Sequence, residues 1–529
     1  MSKRRKFWGW GFEDERAAPE HIAFAKAGLE ALLDIKLTGG EPPREGDIAL
    51  RDPRVAPPAS LAHLLDTSKH ARLVHALGRS YLDITRALRG RFDWPPDVVA
   101  TPRTAEDIAR LLDFAAENAI AVIPFGGGTS VHGGIEPRDL DTPSLSLDLG
   151  GLSGLIDVDE TSLLARVRAG TLGPDLEAQL KQHGLSLRHF PQSFEMSTLG
   201  GWIATRAGGH FATGPTHIDD LLAGLTVVTP RGTIETRALP GSGAGQDPNR
   251  LFLGSEGTLG VITEATMRVF RRPTARFSAT ARFATMDAGL AALRAIVQAG
   301  FQPTNARLVD ELEAMLSGAG GPGAALLLLA YESVDQDLLS TLTAVAEIAR
   351  SHGGEIPDGL KSSLKDVSGR SASADTYKAA FFRAPYLRDE LALMGVFAET
   401  YETAAPWSRI DELDRRLREA VASLGIGKHV LARRITHAYR DGCAPYYTVL
   451  CNNPADPERL WLDLKLAITE AMLASGGTTT HHHAVGRDLT PAWRLEVPAL
   501  HREALHAVKT ALDPRGLMNP GVFFDAHLR

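Results

Sequence analysis

The sequence comprises 529 residues, 44% of them hydrophobic and 23% charged, with a formal net charge of −7. That apolar content buries several cores and excludes wholesale disorder, and the length suits two to four domains of roughly 150 residues each. The acidic balance argues against a nucleic-acid partner, and two cysteines (Cys443 and Cys451) are too few for a disulfide framework, so a reducing, cytoplasmic setting is expected.

Residues 1–94 read as a helical lead-in, with helical spacing in HIAFAKAGLEALLDI and again in LAHLLDTSKHARLVHAL, broken by the Pro-dense stretches EPPREGD and DPRVAPPAS. The opening KRRKFWGW joins cations to aromatics and is a candidate for touching a membrane interface; the acidic GFEDERAAPEH after it is no export h-region. No apolar run approaches the roughly 18 residues of a span, so membrane contact is expected to be peripheral at most.

From 95 to 275 short strands (AVIPF, SLSLDL, GLIDVD, LLARVRAG, LTVVTPRGTIET and GVITEATMRVF) alternate irregularly with helices. TAEDIARLLDFAAENAI is a helix opened by Thr104 as N-cap. Residues 276–529 repeat a strand–helix pairing at ARFSATARFATMDAGLAALRAIVQAG and at PYYTVLCNN with ERLWLDLKLAITEAMLASGG, the mark of a second α+β domain.

Three glycine clusters stand at strand ends. Gly126-Gly127-Gly128-Thr129-Ser130 follows AVIPF and offers successive backbone N–H groups to an anion such as a pyrophosphate, or forms a plain turn. It is neither a GxGxxG fingerprint nor a P-loop. The others are STLGGWIATRAGG (197–209) and GSEGTLGVITEA (254–265); Leu253 spoils a GxSxG elbow at Ser255, which disfavours a serine hydrolase. The triplet His481-His482-His483 is open to three readings: a metal site, a solvated strand end, or an acid/base and substrate contact. Extended backbone would put His481 and His483 on one face and His482 on the other. No HExxH or CxxC accompanies it, and no metal is expected. Tyr446 and Tyr447 lie in a strand.

PFGGGTS, QSFEMSTLGGW with TRAG, and GSEGTLGVITEA, in that order, resemble the FAD-binding domain of the vanillyl-alcohol-oxidase flavoprotein superfamily. Four further segments narrow the resemblance to the alkyldihydroxyacetonephosphate synthase family: KFWGWGFED, APYLRDELALMGVFAETYETAAPW, ITHAYRDGCAPYY and THHHAVGRD. The resemblance implies a two-subdomain FAD-binding domain (95–275), a C-terminal α+β substrate (cap) domain (276–529) whose end returns to the FAD site, and non-covalent FAD, since Thr129 stands where covalent members carry His. It implies that Pro124, Phe125, Gly126, Gly127, Gly128, Thr129 and Ser130 cradle the pyrophosphate. Gln192, Ser193, Phe194, Glu195, Met196, Ser197 and Thr198 would line the flavin with Thr205, Arg206, Ala207 and Gly208. Glu256, Gly257, Thr258, Leu259, Gly260, Val261 and Ile262 would complete the cofactor site. Tyr446 matches the catalytic acid/base, beside His481, His482 and His483; Arg388 and Arg307 match substrate-binding arginines.

The implied reaction exchanges the acyl group of acyl-dihydroxyacetonephosphate for a long-chain alcohol, with no net redox change and with flavin N5 holding the three-carbon fragment in between. Lipid substrates, a homodimer and a cytoplasmic location, peripheral at the membrane, follow from the same resemblance. The alternative is an FAD-dependent dehydrogenase or oxidase of a 2-hydroxy acid or other small alcohol. Those relatives carry a separated His-x-His pair followed by Gly-Asp-Gly-Asn, where this sequence has a contiguous triplet followed by Ala484-Val485-Gly486. Gln192 replaces the carboxylate usual at the head of the second motif, and Ala484 replaces a glycine.

Overall fold

Thr104 opens the first helix of the nucleotide half as its spacing predicts: its hydroxyl accepts the Asp107 N–H while the Asp107 carboxylate accepts the Thr104 N–H, and Ala105–Glu117 follows. The computed structural model describes residues 4–211, 213–320, 323–364, 372–452 and 455–525. Among these, the helix Ala105–Glu117 leads into Ala121–Phe125, which pairs in parallel with Ser144–Asp148; Val98–Ala100 lies on that strand's other side and Leu65–Asp66 at the edge. An antiparallel five-stranded sheet follows, ordered Leu155–Asp159, Leu164–Arg168, Val261–Arg268, Leu222–Thr229, Gly232–Glu235. Residues 511–525 run back to the first sheet, where Met518 bridges Val122.

The third sheet is antiparallel and eight-stranded. Its centre runs Ala275–Phe283, Ala325–Ser333, Asn305–Val309, His429–Ala438, Gly442–Asn452, Val396–Glu402. One face buries Phe277, Leu327, Leu329, Leu431, Tyr447 and Val449 against the helices Met286–Gln298, Leu339–Ser351, Ile410–Ser423 and Pro457–Ala474. Because side chains alternate along a strand, the residues between these point to the other face, where Leu326 and Leu328 pack with Tyr377 and Phe381, and Val430 and Ala432 pack with Ala25 and Leu29. The fold is thus α+β, a mixed pair of sheets facing a larger antiparallel one.

Two local expectations give way. LAHLLDTSKHARLVHAL is not one helix: Asp66 accepts the Ser68 N–H, Ser68 caps a new helix at Lys69–Val74, and Leu65–Asp66 pairs with residues 99–100. Polar side chains that bond nearby backbone interrupted the helix. The aromatic N-terminus turns inward rather than toward a bilayer. Residues 5 and 12 bridge, Phe7, Trp8 and Trp10 are buried, and the Lys6 ammonium donates to the Trp10 and Glu15 carbonyls beside the Trp8 ring. Among the described residues no helix is long and apolar enough to cross a membrane.

Candidate functional site

The glycine turn after Ala121–Phe125 is held tightly from outside. A Cβ on Gly126 would sit 2.3 Å from Thr198 Oγ1, one on Gly127 1.8 Å from the Met196 carbonyl, and Gly128 has φ +70° against the Phe125 ring. Inside, the N–H groups of Gly126 through Ser130 have no acceptor among the described residues. Successive backbone amides left unpaired around a concavity are a cradle for an anion. The residues present therefore fit a pyrophosphate, and the neighbouring walls fit the rest of FAD. Gln192, Ser193, Ser197, Thr198, Thr205, Ala207, Gly208, Glu256, Gly257, Gly260 and Ile262 line the same cavity of about 760 Å³ as Pro124–Ser130. Burial pushes the Glu256 carboxyl up to about 7, although it accepts N–H bonds from Val485 (2.8 Å) and Gly486 (2.9 Å).

The opposite wall is the free face of the eight-stranded sheet. Tyr446, Thr448 and Leu450 point into the cavity from one strand, Arg434, Thr436 and His437 from the next, Ala398 and Thr400 from a third. Tyr447, one residue on, points into the opposite core, fully buried. The Arg434 guanidinium lies 3.8 Å from the Tyr446 ring centroid and is held by the Glu313 carboxylate at 2.6 Å, which also accepts from Tyr377 Oη at 3.2 Å. Burial raises the Tyr446 phenol, and Arg434 with the Thr400 hydroxyl offsets part of that rise. Arg307 is buried between the Tyr377 and Phe381 rings; its Nε and Nη1 have no hydrogen-bond partner among the described residues, nor have Nε and Nη2 of Arg388. Both arginines line the cavity, so it contains fixed positive charge without an internal counter-ion on those atoms. Leu387, Leu391, Leu450, Leu29 and Ala25, which pack in one apolar cluster, also line the cavity and form an apolar arm of it, with Phe24, 57% exposed, lining it too.

The histidine segment is a turn, not a strand, and it wraps a carboxylate. Glu402 accepts the backbone N–H of His481 (2.8 Å), His482 (3.2 Å) and His483 (3.2 Å), with the Thr480 hydroxyl as a fourth donor. Burial pushes the Glu402 carboxyl up, but the imidazoles, His482 first and then His483 and His481, outweigh it and hold its pKa well below the usual carboxylate range. His482 and His483 therefore share the cavity wall, His482 stacking on the Tyr446 ring at 6.1 Å, while His481 turns away toward Tyr439 and His217. The expected alternation fails because the backbone is bent around Glu402. Ring nitrogens of His437, His481 and His482 lie within 4.8 Å of one another.

Eight of the residues expected at the site do not line the cavity. Phe194 stacks on Trp202, and the Glu195 carboxylate accepts from Tyr386 Oη at 3.0 Å. Met196 packs with Trp10 and Tyr386; its carbonyl, not its side chain, abuts Gly127. Arg206 ends its helix in a left-handed conformation and pairs with Asp219. Thr258 donates to the Ser255 carbonyl, Leu259 and Val261 fill cores, and His481 lies behind His482. Glu402, Arg434, His437, Glu313 and Tyr377 carry no signature of their own in the sequence; only Glu402 and His437 lie inside the motif segments ending at Trp407 and Tyr447.

Residues 96–237 match the family described as FAD binding domain, and residues 272–523 match the FAD linked oxidases, C-terminal domain. The chain is 29% identical over 472 residues to the alkyldihydroxyacetonephosphate synthase of Trypanosoma brucei brucei, covering 85% of this chain and 77% of that one. It is 27% identical over 444 residues to a glycolate oxidase subunit of Bacillus subtilis, covering 81% and 89%. A solved structure of alkyldihydroxyacetonephosphate synthase superposes with a TM-score of 0.82 at 25% identity, covering 97% of this chain and 98% of the other.

Proposed function

Because residues 96–237 match an FAD binding domain and residues 272–523 the C-terminal domain of FAD linked oxidases, and the chain is similar to alkyldihydroxyacetonephosphate synthases, we propose that it is a transferase of that kind. It exchanges the acyl group of acyl-dihydroxyacetonephosphate for a long-chain alcohol. The observation that carries this reading is the lining of one cavity, which joins an anion cradle, unpaired buried guanidinium nitrogens and an apolar arm that includes the exposed Phe24. A 2-hydroxy acid has a charge to bind but nothing to fill the arm.

FAD binds between the glycine turn, Gln192–Thr198, Thr205–Gly208 and Glu256–Ile262, and when bound it supplies the electron-accepting and electron-donating ring of the reaction. Arg388 and Arg307 receive the phosphate head; the planar guanidinium makes paired hydrogen bonds to phosphate oxygens. Tyr446 Oη takes the proton that leaves C1 and returns it to the product, with His482 beside it to take the proton on. Leu387, Leu391, Leu450 and Leu29 hold the alkyl chain and keep water from the reacting carbon. Release of the fatty acid as its carboxylate and entry of the alcohol, whose hydroxyl proton is lost, balance without an external oxidant. Peripheral contact with a bilayer, at the exposed Phe24, and a homodimer belong to the same reading.

Incubation with acyl-dihydroxyacetonephosphate and labelled hexadecanol, without an electron acceptor, is expected to give labelled ether product. Dye reduction by glycolate or lactate with no ether product would make the protein an oxidoreductase instead. Acid precipitation is expected to release the flavin into the supernatant, and flavin left in the pellet overturns the non-covalent assignment.

A further inference from the structure

Behind the cavity wall, four side chains form a continuous hydrogen-bonded chain. His482 Nδ1 lies 3.0 Å from His481 Nδ1; His481 Nε2 lies 2.7 Å from Tyr439 Oη and 3.1 Å from His217 Nε2; and Tyr439 Oη lies 3.2 Å from His217 Nε2 and 3.4 Å from Thr216 Oγ1. His482 lines the cavity, whereas His217 and Tyr439, at the far end, are partly exposed. We propose that His482, His481, Tyr439 and His217 form a proton relay linking the reacting carbon to solvent, with His217 and Tyr439 as positioning residues that act through His482. This rests on the transferase reading above, in which a proton must leave C1 and come back.

The direction of the chain follows from one fixed end. His217 Nδ1 faces the Arg206 carbonyl at 3.2 Å, and a carbonyl only accepts, so Nδ1 carries the hydrogen and Nε2 of the neutral ring presents a lone pair. Burial keeps His217 and His481 neutral near pH 7, lowering both below the ordinary histidine value. Two arrangements of the remaining hydrogens then connect the chain, and the first also lets the His482 Nδ1–H donate to the Glu402 carboxylate at 3.2 Å. With the His481 hydrogen on Nε2, it donates to His217 Nε2, and His481 Nδ1 accepts from His482 Nδ1, which leaves His482 Nε2 as a base facing the cavity. With the His481 hydrogen on Nδ1, it donates to His482 Nδ1, Tyr439 O–H donates to His481 Nε2, and His482 carries its hydrogen on Nε2 as an acid. The two tautomers of His481 are therefore the basic and acidic states of His482.

Transfer balances atom by atom. A proton arrives at His482 Nε2, the Nδ1 proton moves to His481 Nδ1, the His481 Nε2 proton moves to His217 Nε2 directly or through Tyr439, whose own O–H proton passes to His217 as it accepts the new one, and one proton leaves His217 to water. Glu402, 3.2 Å from His482 Nδ1 and kept ionised by the surrounding imidazoles, stabilises the imidazolium in transit. His437 flanks the chain but is committed elsewhere, with Nε2 on the Gly209 carbonyl at 3.1 Å and Nδ1 on Thr436 Oγ1 at 3.0 Å.

Tyr439→Phe and His217→Ala, each purified with FAD, test the relay by exchange of the C1 hydrogen of acyl-dihydroxyacetonephosphate with deuterated water. Exchange and kcat are expected to fall roughly tenfold or more, with KM and FAD content held, and imidazole in the buffer is expected to restore much of the His217→Ala rate. Unchanged exchange in both variants, or loss that imidazole does not restore, overturns the relay. So does a stoichiometric transition metal whose chelation stops exchange. A second measurement needs no substrate: histidine 15N spectra are expected to show His481 as mixed tautomers in the parent and as the Nε2–H tautomer in Tyr439→Phe. A single unchanged tautomer in both overturns the relay even if the protein makes no ether product, an outcome that by itself sinks only the transferase reading.

Discussion

Tyr446 and Tyr447 are neighbours in one strand, and each sits against an arginine and a carboxylate. Arg434 and Glu313 attend Tyr446; Arg433 and Asp414 attend Tyr447. On both faces the carboxylate pairs with its arginine, Glu313 with Arg434 at 2.6 Å and Asp414 with Arg433 at 3.0 Å, but on the cavity side the guanidinium also lies over the ring, so positive charge faces the phenol. On the core side Asp414 adds to burial in driving the Tyr447 phenol far up, and Arg433 offsets only part. Composition is nearly the same on the two faces, and what differs is which charge touches the phenol and whether the oxygen has open space. A tyrosine becomes a usable acid or base through its neighbours' order.

The strongest way to break that comparison is Tyr446→Phe against Tyr447→Phe. The first is expected to lower ether formation by roughly 100-fold or more with FAD retained, the usual worth of a positioned acid/base, while the second keeps turnover near the parent's. Reversal would assign the chemistry to the core face. Next in size, Glu402→Gln removes the charge beneath His482 and is expected to cost roughly tenfold in kcat while FAD content is kept. An unchanged kcat would show that the histidine turn needs only its shape. Arg388→Lys sharpens the cavity side: KM for the phosphate substrate is expected to rise about tenfold because the paired geometry is lost, with kcat less affected. A change in kcat alone would remove Arg388 from phosphate binding.

The smallest effect is on stability. Burial lowers His132 to about 4 and His189 to about 3, and holds His437, His481 and His483 well down, so the folded chain keeps these rings neutral where the unfolded chain, near 6.5, protonates them. Their contribution is complete above pH 6.5 and is lost as pH falls from 6.5 through about 4. Glu256, raised to about 7, and Asp83 and Asp310, each raised to about 6, act in the opposite sense with Glu177 and Asp389, but Asp83 and Asp310 gain only below about pH 6 whereas the histidines lose from 6.5, and His217 adds to the histidine side. Urea midpoints are expected to fall between pH 7 and pH 5; a flat or rising midpoint contradicts this balance.

Much of this was legible because it is local. The glycine turn, the Thr104 cap and the strand holding Tyr446 are each set by a few consecutive residues. The α+β class followed from the irregular alternation of strands with helices. The orientation of the histidines was not legible, because the residue that bends them, Glu402, precedes them by 79 positions and reaches them only in the folded chain. Arg434 was hidden in a strand of mostly buried residues, where nothing in sequence says which face meets a core and which a cavity. The aromatics of KRRKFWGW look like an interfacial anchor by type alone; their burial depends on Asp389, which accepts the Trp10 N–H from 379 residues away.

Such distances set a timetable. Asn519 Nδ2 donates to the carbonyls of Gly134 and Glu256, partners 385 and 263 residues apart along the chain, and so ties the glycine turn to the loop opposite it. Contacts of this span form late, because loop closure must be met before they contribute. The nascent chain therefore passes most of its synthesis with the cradle's two halves unjoined. FAD is expected to enter a nearly finished protein, and riboflavin supply during expression to govern how many molecules mature rather than how fast any one begins to fold.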